Sequence, residues 1–164
     1  MTRLILAWLH LLALGIGLGA IWVRARTLGR TRDGAALDSG TLRRAFVADG
    51  WWGGAAALWI GTGLWRLLAG TEKTTAYYLR NDVFLLKMTL LLIILALELW
   101  PMVTLVRWRR LAGADASRAA NRPDLSSYSA RARHIATISY LQAALVAAMV
   151  LAAVSMARGY GARG

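Results

Sequence analysis

Residues 83–106 read VFLLKMTLLLIILALELWPMVTLV, and this apolar stretch indicates how the whole chain folds. A helix of this length rises about 36 Å, which exceeds the roughly 30 Å thickness of a bilayer's hydrocarbon core. Three further apolar stretches of similar length lie at residues 4–23, 46–68 and 135–156. The first is too long for the apolar part of a cleaved signal peptide, so we expect it to be retained. The sequence therefore predicts four membrane-spanning helices.

The composition is also typical of a membrane protein. Hydrophobic residues make up 58% of the 164 residues, which is more apolar surface than a soluble fold of this size can bury. No pattern of strands is present, and short connections join successive apolar stretches. We therefore predict an all-α, antiparallel four-helix bundle that forms a single transmembrane domain over residues 1–164. Cysteine is absent, which excludes disulfides and thiolate metal sites.

The basic residues are concentrated in two connections between helices. A net charge of +12 would suggest a nucleic-acid partner in a soluble protein, so the position of the charge matters. Residues 24–45 hold six arginines and residues 107–134 hold seven, together 13 of the 20 basic residues. Because basic residues in short loops stay in the cytoplasm, both loops are predicted inside and both termini outside. This topology argues against nucleic acid and places the arginines against anionic lipid headgroups.

The first two helices are rich in small residues, which let membrane helices approach closely. The glycines of these helices are Gly15, Gly17, Gly19, Gly50, Gly53, Gly54, Gly61 and Gly63. We interpret them mainly as packing positions, with a groove for a flat cofactor as the alternative. Gly15 and Gly19 also match a weak dimerisation motif, so a homo-oligomer stays open.

Ionisable side chains at membrane depth are the candidates for function, because they are costly to place in hydrocarbon. His10 lies about 9 Å from the outer end of its helix, and Arg66 and Lys87 lie within about 6 Å of that face. These three residues are therefore predicted to share one layer in the outer third of the bilayer. Asp49 and Glu98 lie near the inner face, where we expect them to form structural ion pairs with arginines.

His10 is the candidate metal ligand of this outer layer. Two neighbouring cations favour a neutral imidazole, which can ligate a metal or accept a proton. The alternative is that Arg66 and Lys87 extend to the headgroups while His10 forms a hydrogen bond across the bundle. His134 begins the fourth helix at the cytoplasmic edge, roughly 20 Å from His10 along the membrane normal, so one iron cannot bind both.

A copper site has weaker support, because the methionines of the helices are expected at different depths and no cysteine assists. The methionines concerned are Met88, Met102, Met149 and Met156.

Four segments resemble a family of bacterial four-helix membrane proteins that carries domain of unknown function 2214. They are LRRAFVADGWWG at residues 42–53, WIGTGLWR at 59–66, TAYYLRND at 75–82 and LELWPM at 97–102. The resemblance implies a multi-pass protein of the bacterial inner membrane with no assigned activity.

The chain is also similar, more distantly, to HemJ-type protoporphyrinogen oxidases, which bind haem. The matching segments are WLHLLALGIGLGAIWVRAR at residues 8–26 and FLLKMTLLLIILALELW at residues 84–100. On this resemblance His10 corresponds to a histidine proposed as haem ligand, Lys87 to a lysine of the third helix and Arg26 to a basic residue closing the first. The chain departs from that pattern at residues 83–86, so the resemblance implies a shared fold more than a shared substrate.

Two functional hypotheses follow. The first is a haem b protein in which His10 ligates iron, while Lys87 and Arg66 neutralise propionates or an anionic tetrapyrrole substrate. Such a protein would be a membrane oxidoreductase that takes electrons from a lipophilic donor and passes them to quinone. The second is a non-enzymatic membrane scaffold or small transport component, in which the buried charges serve packing and topology.

Overall fold

A computed structural model describes residues 1–31, 37–69, 78, 80–115 and 126–161, with side chains up to Ala112 in the third helix and from Tyr128 in the fourth. The described residues form four long helices, α1 (Thr2–Gly29), α2 (Ser39–Leu68), α3 (Asp82–Asp115) and α4 (Ser126–Ala157). The predicted all-α class and the number of helices are therefore confirmed.

Each helix extends beyond the apolar stretch that predicted it. α1 continues past Val23 to Gly29, and α3 continues past Val106 to Asp115. Helical hydrogen bonds do not require a hydrocarbon environment, so a helix can run on into the headgroup region. Most of the loops expected at residues 24–45 and 107–134 is therefore helical, and the parts at 32–36 and 116–125 lie outside the described residues.

α2 begins at a capped N-terminus. The Asp38 carboxylate accepts hydrogen bonds from the backbone N–H and the hydroxyl of Thr41. The backbone hydrogen bond from Thr41 is the main reason that the pKa of Asp38 lies below its usual value. This cap satisfies one of the N–H groups that every helix start leaves without an intrahelical partner.

α1 and α2 pack antiparallel along their whole length. His10 lies beside Gly63, Gly17 beside Trp52, and Arg24 beside Asp49, so the number rises on α1 as it falls on α2. Within the described residues, the parts of the chain long and apolar enough to cross a membrane are Thr2–Gly29, Asp82–Ala112 and Tyr128–Ala157. α2 does not reach that hydropathy, because glycine and tryptophan are nearly neutral on this scale. α2 pairs with α1 along its length, and its own crossing of the membrane stays a prediction.

The helices follow one another around the bundle in the order α1, α2, α3, α4. α1 packs on α2 and on α4, α3 packs on α4, and α2 and α3 meet at few positions. The N-terminus of α1 therefore lies at the same end as the N-terminus of α3. The helix ends that are rich in arginine all lie at the opposite end, as the sequence predicts.

Two apolar clusters fill the interior. One contains Ile21, Trp52, Ile94 and Val146, and the other contains residues closer to the arginine-rich end, namely Leu28, Ala45, Leu105, Trp108 and Ile135. The four helices extend through both clusters. Between the clusters each helix contributes polar side chains, and these side chains form a polar layer across the bundle.

The glycines of α1 and α2 do not all pack within the chain. A Cβ at Gly17 would lie 3.1 Å from the Trp52 ring, which confirms close packing at this position. At six other glycines an added Cβ would have no neighbour within 4 Å; they are Gly15, Gly19, Gly50, Gly53, Gly54 and Gly61. These six glycines therefore face away from the bundle and do not provide close packing within the chain.

Candidate functional site

His10 forms a hydrogen bond with Thr62 between α1 and α2. Its Nδ1 lies 3.0 Å from Thr62 Oγ1, which itself lies 2.7 Å from the Leu58 carbonyl. A hydroxyl has a single hydrogen, so when Thr62 donates it to Leu58, the hydrogen bond with His10 is donated by Nδ1. In that tautomer the lone pair of the imidazole lies on Nε2. This arrangement, in which the second ring nitrogen is fixed by a hydrogen bond, is the one that metal-ligating histidines adopt.

His10 borders a cavity of about 100 Å³ on the side where α2 and α3 face each other. Its walls are mostly apolar, and they consist of His10, Trp59, Ile60, Gly63, Leu64, Leu67, Phe84, Lys87, Met88, Leu91 and Met149. Gly63 makes room for the imidazole, since a Cβ there would lie 3.1 Å from His10 Cε1. The structure thus brings His10 and Lys87 to one cavity from two helices.

Arg66 does not line this cavity. It lies in the last turn of α2, where a cation stabilises the C-terminal end of the helix dipole. The layer of three residues deduced from depth therefore contributes His10 and Lys87 to the cavity, while Arg66 lies outside its walls.

Met88 and Met149 both line the His10 cavity, so the expectation that the methionines lie at different depths is wrong for this pair. α3 and α4 run antiparallel, which brings position 88 of one to the level of position 149 of the other. Two thioethers therefore lie near the imidazole. Within the described ranges, no three side chains drawn from His, Asp and Glu cluster as metal ligands.

Trp59 contributes a polar atom without a partner. Its ring lies 5.7 Å from the imidazole of His10, centroid to centroid, and its side chain is buried. The indole N–H has no acceptor in the part of the chain that the structure describes. A buried donor in this state costs about 1–3 kcal/mol.

His134 lies far from this cavity. It is exposed on α4 beside Trp100, with ring centroids 6.4 Å apart. Since Gly29 of α1 packs against Ala136, His134 lies near the arginine-rich end of α1. That end is about 28 Å from His10 along the helix. The prediction that one iron cannot bind both histidines agrees with this geometry.

A second polar site is built around Arg24, which is completely buried. Nη1 donates to Asp49 at 2.9 Å and to Glu98 at 2.6 Å, and Nη2 donates to Glu98 at 2.7 Å and to Gln142 at 3.0 Å. Nε donates to Ser139 at 3.0 Å. All five N–H donors of the guanidinium are therefore used, and the partners come from the other three helices.

The partners of Arg24 are themselves satisfied. Gln142 Nε2 donates to Glu98 at 2.8 Å and to the Ile94 carbonyl at 3.2 Å. The cluster holds two carboxylates for one buried guanidinium, and the half-exposed Arg109 lies 4.0 Å from Asp49 on the outer side. With Arg109 included, the polar layer holds two guanidinium groups and two carboxylates. The predicted structural ion pairing of Asp49 and Glu98 is confirmed.

The sequence alone did not single out Arg24, which was predicted to lie in the first cytoplasmic loop. Gln142 and Ser139 were missed as well, since neither carries a charge. One signal was present: Gly17, Ile21, Arg24 and Leu28 recur at the spacing of a single helix face. Arg26, two positions further on, is exposed because it lies on the other side of α1.

A family model described as "Predicted membrane protein (DUF2214)" matches residues 2–161, which include both polar sites. The chain belongs to this family. No curated protein and no solved structure matches it significantly. Family membership therefore identifies the DUF2214 chain as a membrane protein and leaves its activity to be argued from its side chains.

The two sites of this DUF2214 protein differ in what they can do. In the Arg24 layer every donor is engaged within the protein, which suits a structural role. The His10 cavity combines a nitrogen lone pair, an ammonium group and an indole N–H with apolar walls. Such a cavity suits the polar or metal-bearing part of a lipophilic ligand.

Proposed function

We propose that this membrane protein binds haem b at the His10 cavity, where His10 Nε2 would ligate the iron, and has a redox role in the membrane. The observation that carries this proposal is the hydrogen bond between His10 Nδ1 and Thr62. It orients the imidazole and, with Nδ1 as the donor, makes Nε2 the nitrogen that would bind a metal. The other residues of the cavity supply what a haem needs around that ligand.

The side chains that line the His10 cavity fit a haem better than the volume of the cavity does. Lys87 offers a cation for a propionate, and the apolar walls suit the face of a porphyrin. However, about 100 Å³ is below the roughly 300–1,000 Å³ of common ligand pockets. The cavity as formed is therefore smaller than a haem, which would need α2 and α3 to separate further. These helices are the least closely packed neighbours in the bundle.

A bound haem would supply one-electron chemistry, and this chain would bind, orient and shield it. Thr62 fixes the ligand nitrogen, Lys87 holds a carboxylate, and the leucines around them exclude water. The gap between α2 and α3 faces the bilayer, so a lipophilic tetrapyrrole donor and a quinone acceptor could both approach from lipid. This is the basis for proposing a role as an oxidase of a protoporphyrinogen-like substrate.

The test is an absorption spectrum of the protein purified in detergent from haem-replete cells, oxidised and reduced. We expect a Soret band in the wild type and in His134→Ala, which serves as the matched control. His10→Ala should lose the band while keeping its helical circular dichroism. A colourless wild-type protein, or a His10→Ala variant with an unchanged band, would overturn the proposal.

The oxidase role has a separate test. A bacterial strain lacking its protoporphyrinogen oxidase should grow when it expresses the wild-type chain and fail to grow with His10→Ala. If the protein binds haem but does not restore growth, the oxidase assignment is wrong and the haem serves another redox reaction.

The Arg24 layer favours a second candidate, a non-enzymatic scaffold or small transport component. Its charged groups join all four helices and use every donor, as expected of charges retained for packing. On this hypothesis His10→Ala and Lys87→Ala fold normally and no cofactor spectrum is found. The haem spectrum therefore distinguishes the two candidates directly.

We further propose that the arginine-rich end lies in the cytoplasm and that both termini lie outside, in the inner membrane of a bacterium. The asymmetry of arginines between the two ends supports this orientation. Reporter fusions test it: alkaline phosphatase fused after Gly164 should be active, and fused after Arg32 it should be inactive. The reverse result would invert the orientation.

A further inference from the structure

A groove runs along the outer surface of the bundle where α1 and α2 meet. It consists of two adjoining concavities of about 530 Å³ and 490 Å³, which share Ile16, Val47 and Trp51 as lining residues. Arg43 and Arg44 border one end, and Leu58 borders the other. This groove lies on the outside of the bundle and is separate from the His10 cavity.

Two glycines keep the groove open. Gly50 and Gly54 line it, and a Cβ added at either would have no neighbour within 4 Å. A glycine inside a helix costs about 0.8–1.0 kcal/mol relative to alanine. These two glycines recover none of that cost through packing within the chain. Their positions are explained if something outside the chain occupies the space that side chains would fill.

The groove is longer than the hydrocarbon part of one membrane leaflet. From Arg43 to Leu58 the helix rises about 22 Å, which exceeds the roughly 15 Å half-thickness of the hydrocarbon core. Its charged end lies near the start of α2. The exposed Arg26 and Arg30, at the end of α1, lie at the same end of the bundle. The apolar part therefore extends from the headgroup level past the middle of the bilayer.

The two arginines at the end of the groove favour an anionic ligand. Arg43 and Arg44 are both exposed, and the ion pairs of the described residues centre on Arg24 and Asp49 and do not include Arg43. Guanidinium groups match the geometry of phosphate and bind it through paired hydrogen bonds. We infer that this groove binds an anionic glycerophospholipid, with its phosphate at Arg43 and Arg44 and one acyl chain along Gly50 and Gly54.

A second copy of the chain is the competing occupant, since exposed small residues also mediate helix dimers. In a membrane, a symmetric dimer of this face has its two-fold axis along the membrane normal. Arg43 and Arg44 of both copies would then lie at the same depth beside the axis, and their like charges would repel. Charge therefore favours the lipid.

Native mass spectrometry of the full chain tests the inference, with equal amounts of phosphatidylglycerol and phosphatidylcholine added to the detergent. We expect the wild type to retain phosphatidylglycerol over phosphatidylcholine by about tenfold, as charge-assisted hydrogen bonds predict. Arg43→Gln combined with Arg44→Gln should abolish this preference. Equal retention of the two lipids by the wild type would overturn the inference.

A pair of adjacent glycines provides the matched control for the acyl chain. Gly54→Leu fills the groove, whereas Gly53→Leu adds the same side chain to the same helix outside the lining residues. We expect Gly54→Leu to lose the bound lipid by about tenfold and Gly53→Leu to retain it, with equal melting temperatures. Equal retention by both variants would exclude an acyl chain from this groove. A dimer that Gly54→Leu dissociates would instead assign it to a second copy.

Discussion

Arg24 and Glu98 face each other through two parallel hydrogen bonds, Nη1 to Oε1 at 2.6 Å and Nη2 to Oε2 at 2.7 Å. This two-point geometry is the strongest that a guanidinium and a carboxylate can form. It joins α1 to α3, which lie diagonally across the bundle and share no close backbone packing. The contact between α1 and α3 therefore depends on this ion pair, while neighbouring helices are joined by side-chain packing.

Removal of the Arg24 guanidinium should destabilise the bundle severely. Arg24→Leu leaves Asp49 and Glu98 without their central cation, and breaking a buried pair costs about 3–5 kcal/mol. The measurement is a thermal melt in detergent followed by circular dichroism. Arg26→Leu is the control, since Arg26 lies two positions away and is exposed. Equal melting temperatures for the two variants would contradict the structural role of Arg24.

Gln142 should matter although it carries no charge. Gln142→Leu removes the acceptor of one Arg24 Nη2 N–H, which is left unsatisfied, and one of the donors to Glu98, which keeps its hydrogen bonds from Arg24. We expect a loss of about 1–3 kcal/mol in the free energy of unfolding. Leu141→Ala, at an exposed neighbouring position, should cost much less. If Gln142→Leu melts at the wild-type temperature, the polar layer is not as tightly bonded as its distances indicate.

The tautomer of His10 should depend on Thr62. In Thr62→Val the side chain keeps its shape and loses the oxygen that accepts from Nδ1. Nitrogen NMR of the labelled protein should show protonated Nδ1 in the wild type and a mixture of tautomers in the variant. Thr89→Val is the matched control, because the Thr89 hydroxyl also donates to the carbonyl four residues earlier but lies on an exposed face. An unchanged His10 signal in Thr62→Val would show that another group holds the imidazole.

Gly63 and Gly61 should respond in opposite ways to a single methyl group. Gly63→Ala places a Cβ 3.1 Å from His10 Cε1, so the imidazole has to shift, whereas Gly61→Ala meets open space. We expect Gly61→Ala to stabilise α2 by up to about 1 kcal/mol and Gly63→Ala to perturb the His10 NMR signal. Thermal melts and the same nitrogen spectra give both readouts. A stabilising Gly63→Ala with an unaltered His10 signal would contradict the close approach.

Much of this architecture follows from the sequence alone, for a simple physical reason. A bilayer has a fixed thickness, so apolar length determines the number of helices, and counting residues from an interface determines depth. Depth alone predicts that His10 and Lys87 share one level, that His134 lies apart from them, and that Asp49 and Glu98 pair with arginines toward the opposite end. Such conclusions concern position along the membrane normal, which the chain encodes residue by residue.

What only the tertiary structure decided is the rotation of each helix about its own axis. Helices that are apolar on every side carry little periodic signal to show which face turns inward. The sequence therefore did not distinguish buried Arg24 from exposed Arg26, or Gly17 against Trp52 from the outward-facing Gly15. The meeting of Met88 and Met149 at the His10 cavity depends on the same rotations. Packing and the hydrogen bonds of Arg24 set those rotations, and both act between residues far apart in the chain.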